Sequence, residues 1–377
     1  VDYTYGIIYT AGDISLDGVS VSNCSSGSES TLYGGFLYNN GAKISLMSGT
    51  GSNCSANSES TANGGFVYST GDKGSVIISD DFIITECEAS SYGGAAYISN
   101  GSAEMNGGTI SKCRAKYGGA IDCRSSFTMN AGDISDCSST SFGGALYLSG
   151  SPTSTMTIKG GTIQGCSGTY GSICVNAGIL NVEEGSNIFA SGNNYAIGKS
   201  SNTNSVEINI TGGRIESDEA YAVYAGTKNG TVNISDGTIK SDKYRGVYLK
   251  ACKLVMDNGL IDAYTYGIYN VYDKADATIL QINNGEIKSS TNYSIYFYRN
   301  SDALAGTLTI TGGRFTSLSV NLYNTSVCNI AEDDLSITGG FFNYVSEAMS
   351  TFLKNISNDS YKFGSKDSDG YRQVIPK

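Results

Sequence analysis

The sequence predicts an all-β protein, a single right-handed parallel β-helix of about thirteen coils with three short strands in each coil. Three observations support this prediction. A short phrase recurs thirteen times at spacings of 22 to 32 residues, apolar and polar residues alternate around it, and Gly, Asn and Asp separate the alternating stretches. Alternation with a period of two is typical of strands, and such turn residues mark strand ends. Because units this short cannot bury an apolar face alone, the copies are expected to stack.

Each copy of the first phrase has six residues, as in MNGGTI at Met105–Ile110. An aliphatic and a polar residue come first, a small or polar residue and Gly follow, and a polar and an aliphatic residue end the phrase. It predicts a strand that ends at a glycine turn and a second strand that begins after it. Propeller blades need about 40 residues per repeat, and leucine-rich repeats need a leucine frame that this chain lacks. A right-handed parallel β-helix with one coil per copy remains. The copies begin at Leu16, Leu46, Ile78, Met105, Met129, Ile158, Val182, Ile210, Ile234, Met256, Ile282, Ile310 and Ile337.

A second phrase lies between copies of the first and ends in an aliphatic residue followed by tyrosine, as in YGGFLY at Tyr33–Tyr38. Leu146 and Leu148 flank Tyr147, so alternation places the aliphatic side chains inside the coil and the phenol outside. The resulting tyrosine column is predicted to be either a stabilising ladder of rings or a docking surface for sugar rings or for a second protein. The tyrosine column consists of Tyr38, Tyr68, Tyr97, Tyr147, Tyr224, Tyr248, Tyr269, Tyr296 and Tyr323.

Cysteines form another column. In six successive units a cysteine follows the first aliphatic residue by eight positions, or by nine in one unit. Neighbouring coils bring α-carbons within disulfide range, but parallel Cβ vectors lie further apart than an unstrained bridge prefers. Two alternatives follow, a buried ladder of reduced thiols or some bridges between coils. The cysteine column consists of Cys24, Cys54, Cys87, Cys113, Cys137 and Cys166.

The composition excludes several classes of function. The chain of 377 residues has no histidine, which removes Ser-His-Asp and Cys-His catalysis and imidazole zinc sites. No C-x-x-C pair occurs either, so we expect no metal and no cofactor. A formal net charge of -11 disfavours nucleic acid as a partner, and no apolar stretch is long enough for membrane insertion.

An enzyme acting on acidic glycans, a polysaccharide lyase or a glycoside hydrolase, is the main alternative function. Such a catalyst would concentrate carboxylates on one sheet. Instead, equivalent positions on four successive coils carry charges of alternating sign, at Glu216, Lys240, Asp262 and Lys288. Because such a row neutralises itself by pairing between strands, we do not expect catalysis.

The β-helix is predicted to span residues 1–345, with a Gly-Gly and cysteine-marked half at 1–174 and a tyrosine-marked half at 175–345. Residues 346–377 are expected to form a polar cap. The first coil begins within a copy of the second phrase. Its open strand edges predict further protein upstream or another subunit stacked end to end, as in a filament.

Several N-x-S/T sequons offer glycosylation sites if the source is a eukaryote. They begin at Asn23, Asn53, Asn100, Asn209, Asn229, Asn233, Asn292, Asn324, Asn355 and Asn358.

The GGALY-type phrases, together with the TIS-x-C segment at Thr109–Cys113, resemble the repeats of polymorphic outer-membrane proteins and related adhesins in the pectin-lyase-like superfamily. The stretch from Gly339 onward also resembles the end of β-helical surface proteins of gut bacteria. These resemblances imply a surface or secreted location and an adhesive role. We therefore expect an extracellular structural or adhesive module, alone or within a longer fibre, that contacts a glycan or neighbouring protein subunits.

Overall fold

A computed structural model describes most of the chain. The described residues are 5–28, 31–272, 278–299, 306–317, 320–322, 335–343, 345, 350, 353–354, 357 and 359–377.

The chain folds as a parallel β-helix, an all-β solenoid of about 11 turns with parallel sheets, which confirms the predicted fold class. It divides into two compact units. Unit 1 comprises Val1–Ser200 with Asn204–Val206, and unit 2 comprises Ser201–Thr203 with Glu207–Lys377. Helical residues within the described ranges are limited to Ser350, Leu353 and Lys354.

The number of turns is slightly lower than the thirteen coils predicted. The structure has about 11 turns.

The described residues of unit 1 form twenty-six strands. They are β1 (Ile8–Thr10), β2 (Ile14–Leu16), β3 (Val19–Ser22), β4 (Ser25–Ser28), β5 (Leu32–Tyr33), β6 (Leu37–Asn40), β7 (Lys43–Ser52), β8 (Ser55–Ser58), β9 (Ala62–Asn63), β10 (Val67–Thr70), β11 (Ser75–Thr85), β12 (Glu88–Ala89), β13 (Ala96–Ile98), β14 (Ser102–Met105), β15 (Thr109–Ser111), β16 (Arg114–Tyr117), β17 (Ile121–Cys123), β18 (Ser126–Met129), β19 (Asp133–Ser135), β20 (Ser138–Phe142), β21 (Leu146–Leu148), β22 (Thr155–Gln164), β23 (Ser167–Thr169), β24 (Ile173–Val175), β25 (Gly178–Ala190) and β26 (Ile197–Lys199).

These strands form three main sheets of parallel neighbours. Sheet 1 takes one strand from each turn, in the order β1-β6-β10-β13-β17-β21-β24-β26. Sheet 2 contains the two strands of the first phrase in each turn. In β7, β11, β22 and β25 these two strands are joined into one long strand. Sheet 3 has the order β23-β20-β16-β12-β8-β4, and β5 pairs with β9. One turn of unit 1 therefore runs through β14, β15, β16 and β17.

Sheet 3 adds a fourth short strand to each turn where the sequence predicted a polar bend. The segments that form it are rich in Ser and lack an apolar alternation. Their backbones nevertheless pair in register between turns, as at Glu88, which pairs with Ser55 on one side and Arg114 on the other. Sheet 3 ends at Thr169, three residues after the last column cysteine, Cys166.

Unit 2 contains the remaining strands. They are β27 (Val206–Ser217), β28 (Val223–Ala225), β29 (Gly230–Ser241), β30 (Arg245–Lys250), β31 (Cys252–Met256), β32 (Leu260–Ala263), β33 (Tyr266–Tyr272), β34 (Ile279–Ile282), β35 (Glu286–Ser289), β36 (Tyr293–Arg299), β37 (Thr307–Ile310), β38 (Arg314–Ser317), β39 (Val320–Leu322), β40 (Leu335–Ile337), β41 (Phe341–Phe342), β42 (Tyr361–Lys366) and β43 (Arg372–Pro376).

A turn of unit 2 has the three strands that the sequence predicted. For example, β31 and β32 flank a glycine turn in sheet 2, and β33 follows in sheet 1. The described residues of unit 2 contain no counterpart of sheet 3. Only three residues separate the end of β29 at Ser241 from the start of β30 at Arg245.

The core consists of apolar columns in register. Leu146 lies between Ile121 and Ile173 on the adjacent turns, and Ile268 lies between Val247 and Ile295. All of these side chains are buried. Full burial of such side chains contributes about 1.5–3 kcal/mol each, and it occurs here only because equivalent residues stack.

Two kinds of corner shape the turns of unit 1. At the first, the residue before the column cysteine has a positive φ, as at Lys112 (54°), and the Sγ of Cys113 donates to the carbonyl oxygen of Ser111 at 3.3 Å. At the second, Gly118 has a positive φ of 60°, and a Cβ on Gly119 would collide with the carbonyl oxygen of Gly144 on the next turn. The Gly-Gly phrase therefore meets a backbone requirement.

The described part of the predicted polar cap contains an antiparallel hairpin of β42 and β43, and β43 pairs antiparallel with β41. The hairpin turn is held by Asp367, whose Oδ1 accepts the backbone N–H groups of Asp369 and Tyr371 at 3.0 and 2.8 Å.

Candidate functional site

The outward face of sheet 1 carries the tyrosine column. In unit 1 the in-register partners are Tyr9, Tyr38, Tyr68, Tyr97, Asp122, Tyr147, Cys174 and Gly198. In unit 2 they are Tyr224, Tyr248, Tyr269 and Tyr296. Tyr323 lies outside the described residues.

The rings of adjacent turns stack on one another. Ring pairs along the column have centroid distances of 4.9–5.8 Å and interplanar angles of 5–37°. The closest approach to parallel is between Tyr38 and Tyr68, at 5.0 Å and 5°. Cross-strand aromatic pairs of this kind contribute about 0.2–1 kcal/mol each.

A second aromatic column runs beside the first. In unit 1 its in-register members are Tyr5, Tyr33, Asn63, Tyr92, Tyr117 and Phe142, and in unit 2 they are Arg245, Tyr266 and Tyr293. The rings of Tyr170, Tyr221 and Tyr244 add contacts from neighbouring positions. The rings of the second column contact the first column from the side, for example Tyr33 on Tyr68 at 4.7 Å and Tyr117 on Tyr147 at 5.7 Å. We call the two columns together the aromatic ladder.

The second column changes the exposure expected for the first. Alternation does place Leu146 and Leu148 in the core and Tyr147 on the other face. However, Tyr68, Tyr97 and Tyr147 are only 8%, 4% and 6% exposed. The expected outward row of phenols is thus covered at these positions in unit 1, because neighbouring aromatic rings lie over it. In unit 2 all four tyrosines of the column are half-buried.

Asp122 occupies the tyrosine position between Tyr97 and Tyr147. It is fully buried, and its Oδ1 accepts the hydroxyl of Ser149 at 2.7 Å, while its Oδ2 has no hydrogen-bond partner. Burial raises the pKa of this carboxyl to about 7, against the opposing effects of Ser149 and the charge of Arg124. The ladder of unit 1 therefore contains one acid that titrates near neutral pH.

Each unit also has an arginine in its ladder. The Cζ of Arg124 lies 4.9 Å from the ring centroid of Tyr92 and 5.3 Å from that of Tyr97. Arg245 in unit 2 lies over four rings; its Cζ is 3.7 Å from the ring centroid of Tyr269, and its Nη1 donates to the hydroxyl of Tyr221 at 2.7 Å. These cation–π contacts fix the ladder from the side.

Asp122 and Arg245 are exceptions to the aromatic columns that the sequence phrases already contain. The phrase YGGAID places Asp122 where YGGALY has Tyr147, and RGVY places Arg245 in register with Tyr266. Aligning the phrases position by position would have identified both residues.

The packing limits what the ladder can bind. A ring that stacks on its neighbours presents its edge and hydroxyl to solvent and keeps its face inside the stack. Burial raises the pKa of Tyr38 to about 12 and also raises those of Tyr68, Tyr97 and Tyr147. The phenols are therefore neutral hydrogen-bonding groups, and stacking of sugar rings on their faces is disfavoured.

The six column cysteines are all buried and carry free thiols. From Cys54 onward, the residue that follows each column cysteine donates its backbone N–H to the carbonyl oxygen of the column cysteine on the preceding turn. These hydrogen bonds measure 2.7–3.0 Å and run from Ser55 on Cys24 to Ser167 on Cys137. The thiols of Cys24, Cys54, Cys87, Cys113, Cys137 and Cys166 thus lie on consecutive turns.

The row of alternating charges lies in sheet 2 of unit 2. Asp262 pairs in register with Lys240 and Lys288, and the Nζ of Lys240 lies 3.4 Å from a carboxylate oxygen of Glu216. Among the described residues, no group of three or more Asp, Glu, Cys or His could hold a metal ion.

The sequons differ in exposure. Asn23, Asn53, Asn100 and Asn229 are exposed, whereas Asn209, Asn233 and Asn292 are half-buried. Asn324, Asn355 and Asn358 lie outside the described residues. None of the helical segments within the described ranges has the length and hydropathy of a membrane span.

No family model matches the chain, and no curated protein or solved structure shows significant similarity to it. The fold and the ladder alone define the class of protein, a parallel β-helix repeat protein with a stacked aromatic face.

Proposed function

We propose that the protein is an extracellular or cell-surface structural module whose aromatic ladder stiffens sheet 1 and whose half-buried tyrosines in unit 2 contact a glycan or a neighbouring protein. The observation that carries this proposal is the ladder itself. Stacked rings on consecutive turns stabilise a repeat fold, and the four described tyrosines of the unit 2 column are all half-buried.

The resemblance of the repeats to surface adhesins of the pectin-lyase-like superfamily supports the proposed location and adhesive role. The charge pattern supports a binding module over an enzyme. Glu216 is paired with both Arg214, at 2.6 Å, and Lys240, so this carboxylate is neutralised by its neighbours in sheet 2.

Because the ring faces are stacked, the contact is made by ring edges and hydroxyls. Replacing tyrosine by phenylalanine removes the hydroxyl and keeps the ring in the stack. A variant carrying Tyr248→Phe, Tyr269→Phe and Tyr296→Phe is therefore expected to fold normally and to bind at least tenfold more weakly.

Binding is measured on a panel of immobilised neutral and uronate-containing polysaccharides, and self-association by sedimentation velocity. The matched control carries Tyr68→Phe, Tyr97→Phe and Tyr147→Phe, three covered positions of unit 1, and should bind as the unaltered protein does. Equal binding by all three proteins would show that the tyrosines of unit 2 are not the contact. Release of unsaturated sugars from the uronate polymers would replace the binding proposal with a lyase.

A further inference from the structure

Arg245 is a half-buried cation in the aromatic ladder of unit 2, and no carboxylate of a described residue pairs with it. Two other arginines of unit 2 do have such a partner. Arg214 pairs with Glu216 at 2.6 Å, and Arg314 pairs with Asp369 at 2.9 Å. Because a partly desolvated charge without a counter-ion is unfavourable, an anion that reached this guanidinium would be bound favourably.

Unit 1 balances the arginine of its own ladder internally. There the charge of Arg124 acts on Asp122, against the burial that raises the pKa of this carboxyl. The ladder position that Asp122 takes in unit 1 is occupied by Tyr248 and Tyr269 on the two turns that hold Arg245 and its in-register partner. The described part of the unit 2 column therefore supplies no acid for its arginine.

The rings around Arg245 hold the guanidinium without neutralising it. Its Cζ lies 3.7 Å from the ring centroid of Tyr269, 4.6 Å from that of Tyr244 and 5.2 Å from that of Tyr266. Burial raises the pKa of Tyr266 and also that of Tyr221, so these phenols stay neutral at physiological pH. Cation–π attraction fixes the side chain and leaves its charge in place.

Acids on the preceding turn are engaged elsewhere. Asp218 and Glu219 lie 3.3 and 2.8 Å from the Nζ of Lys243. Their charge is therefore balanced by a lysine, and the positive charge of Arg245 remains available to a ligand.

The fork of Arg245 is held in one orientation. Its Nη1 donates to the hydroxyl of Tyr221 at 2.7 Å, and its Nε is buried without a hydrogen-bond partner. A guanidinium presents paired donors that match the two oxygens of a carboxylate. Since the stacked rings and the arginine between them are already ordered, binding costs little side-chain freedom.

This combination of groups fits a protein partner better than a glycan. Tyr269 stacks on Tyr248 at 5.8 Å and on Tyr296 at 5.3 Å, so the ring faces that a sugar would use lie inside the ladder. Ring edges and a guanidinium remain. Tyrosine and arginine are the residues that contribute most strongly at protein–protein interfaces, and Asp or Glu side chains of a partner supply the carboxylate.

We propose that the unit 2 part of the aromatic ladder is a docking surface for an acidic polypeptide segment, and that Arg245 binds an Asp or Glu carboxylate of that segment. This inference rests on the proposed function, because it names the chemistry of the partner that the tyrosines of unit 2 contact. It is opposite to the expectation from bulk charge. A formal net charge of -11 attracts basic peptides, whereas this site selects acidic ones.

A displayed library of random peptides tests the proposal. The library is first depleted on Arg245→Gln protein, which removes peptides that bind elsewhere, and is then selected on the unaltered protein. The selected peptides are expected to carry Asp or Glu. Replacing these acids with Asn or Gln in synthetic peptides should weaken binding about tenfold or more, as for a lost charged hydrogen bond. Recovery of no peptide that depends on Arg245, or equal binding by the amide forms, would overturn the proposal.

Arg214→Gln is the matched control, because it removes the same charge from sheet 2 of the same unit. The selected peptides should bind this variant as they bind the unaltered protein, and an equal loss in both variants would assign the effect to net charge and contradict the proposal. Circular dichroism checks folding. If Arg245→Gln does not fold, Arg245→Lys takes its place in the depletion step, since lysine keeps the charge and lacks the planar fork. Recovery of no acidic peptide would then contradict the proposal.

The variant carrying Tyr248→Phe, Tyr269→Phe and Tyr296→Phe separates this inference from the proposed function. If no peptide depends on Arg245 while the triple variant loses its polysaccharide binding, the tyrosine contact stands and the acidic partner is wrong. If neither variant changes the binding of polysaccharides or peptides or the self-association of the protein, the proposed function and this inference both fail.

Discussion

Units 1 and 2 are built from the same two phrases, yet they close their turns with different chemistry. Unit 1 uses a cysteine corner, a short strand of sheet 3 and a glycine pair. Unit 2 uses a buried serine: the hydroxyl of Ser241 donates to the carbonyl oxygen of Ala220 at 2.8 Å and accepts the N–H of Tyr244 at 3.2 Å. Ser289 accepts the N–H of Asn292 in the same way. One core can therefore be closed either by backbone conformation or by local side-chain hydrogen bonds.

The two closures have different sensitivities. A glycine corner tolerates no side chain, because the backbones of adjacent turns approach too closely. A serine corner loses only hydrogen bonds when its hydroxyl is removed. The two units also differ in the first aromatic column, where Tyr68, Tyr97 and Tyr147 of unit 1 are buried and the described tyrosines of unit 2 are half-buried. The difference predicts where substitutions are severe and where they are mild.

The largest effect is expected for Gly119→Ala in unit 1. The added Cβ would collide with the carbonyl oxygen of Gly144 and with that of Ser138, so adjacent turns must separate. We expect a loss of more than about 4 kcal/mol, the range of severe backbone effects. Hydrogen exchange should show lost protection in the peptides of unit 1 and retained protection in those of unit 2. Gly12→Ala, where nothing lies within 4 Å of the new Cβ, is the control. Retained protection around Gly119 would show that the corner can open without cost.

The next largest effect concerns Asp122, which has no counterpart in unit 2. Its folded-state pKa of about 7 lies above its ordinary value of 3.8, so folding favours the protonated form. That stabilisation is complete below pH 3.8 and is lost as the pH rises through 7, at about 1.4 kcal/mol per pH unit and up to about 4 kcal/mol in all.

Asp122→Asn keeps the acceptor for Ser149 and removes the charge. The variant should therefore be more stable than the unaltered protein by about 4 kcal/mol at pH 8 and by less than about 2 kcal/mol at pH 5. Denaturant unfolding at the two pH values measures the difference. The exposed Asp133→Asn serves as the control for replacing a carboxylate by an amide. A parallel profile for Asp122→Asn and the unaltered protein would contradict a titration of Asp122 near pH 7.

A moderate effect is expected for Ser241→Ala in unit 2. The substitution removes a buried hydroxyl that makes two hydrogen bonds, leaving the carbonyl of Ala220 and the N–H of Tyr244 without this partner. Such a loss costs about 1–3 kcal/mol. Thermal unfolding of Ser241→Ala against the exposed control Ser290→Ala tests the serine corner. A loss as large as that of Gly119→Ala would remove the contrast between the two closures.

The smallest effect is expected in the row of charges. Lys240 pairs with Glu216 at 3.4 Å and with Asp242, but about a third of its side chain is exposed. Lys240→Gln should cost about 0.2–1 kcal/mol at low salt and less at high salt. The equivalent test in unit 1 is Lys112→Gln, whose pair with Glu86 is longer, at 3.8 Å, and more exposed. A salt-independent loss at Lys240 would indicate packing and not charge.

The interior columns could be predicted from the sequence because alternation is a local property that every turn repeats. Leu146 and Ile268 lie in the core as expected, and the tyrosines that follow the aliphatic positions lie on the opposite face. Sheet 3 could not be predicted, since its strands carry serine and charged residues and pair only through the backbone. The burial of Tyr97 also depends on a neighbouring column a few residues away, and alternation does not report such lateral packing.

Asp122 and Ser241 show the same limit, because the sequence indicates their positions in a turn but not how they pack. Asp122 shares the register of Tyr97 and Tyr147, so its position could be predicted, but its raised pKa depends on its burial in the folded ladder. The serine corner was hidden because Ser241 ends a strand that resembles any other polar-ended strand. The repeated phrases therefore predict which residues are in register between turns. The burial, pKa and hydrogen bonds of those residues depend on the side chains packed around them.

The register also bears on how the length of unit 1 could change. Met129 lies directly on Met105, Ile134 on Ile110 and Ser138 on Arg114. If residues 105–128 were deleted, Met129, Ile134 and Ser138 would take the places of Met105, Ile110 and Arg114 in the preceding turn. We therefore expect that unequal recombination in the gene could add or remove one whole turn and that the chain would still fold. The number of turns can then vary, whereas the residue pattern within a turn cannot.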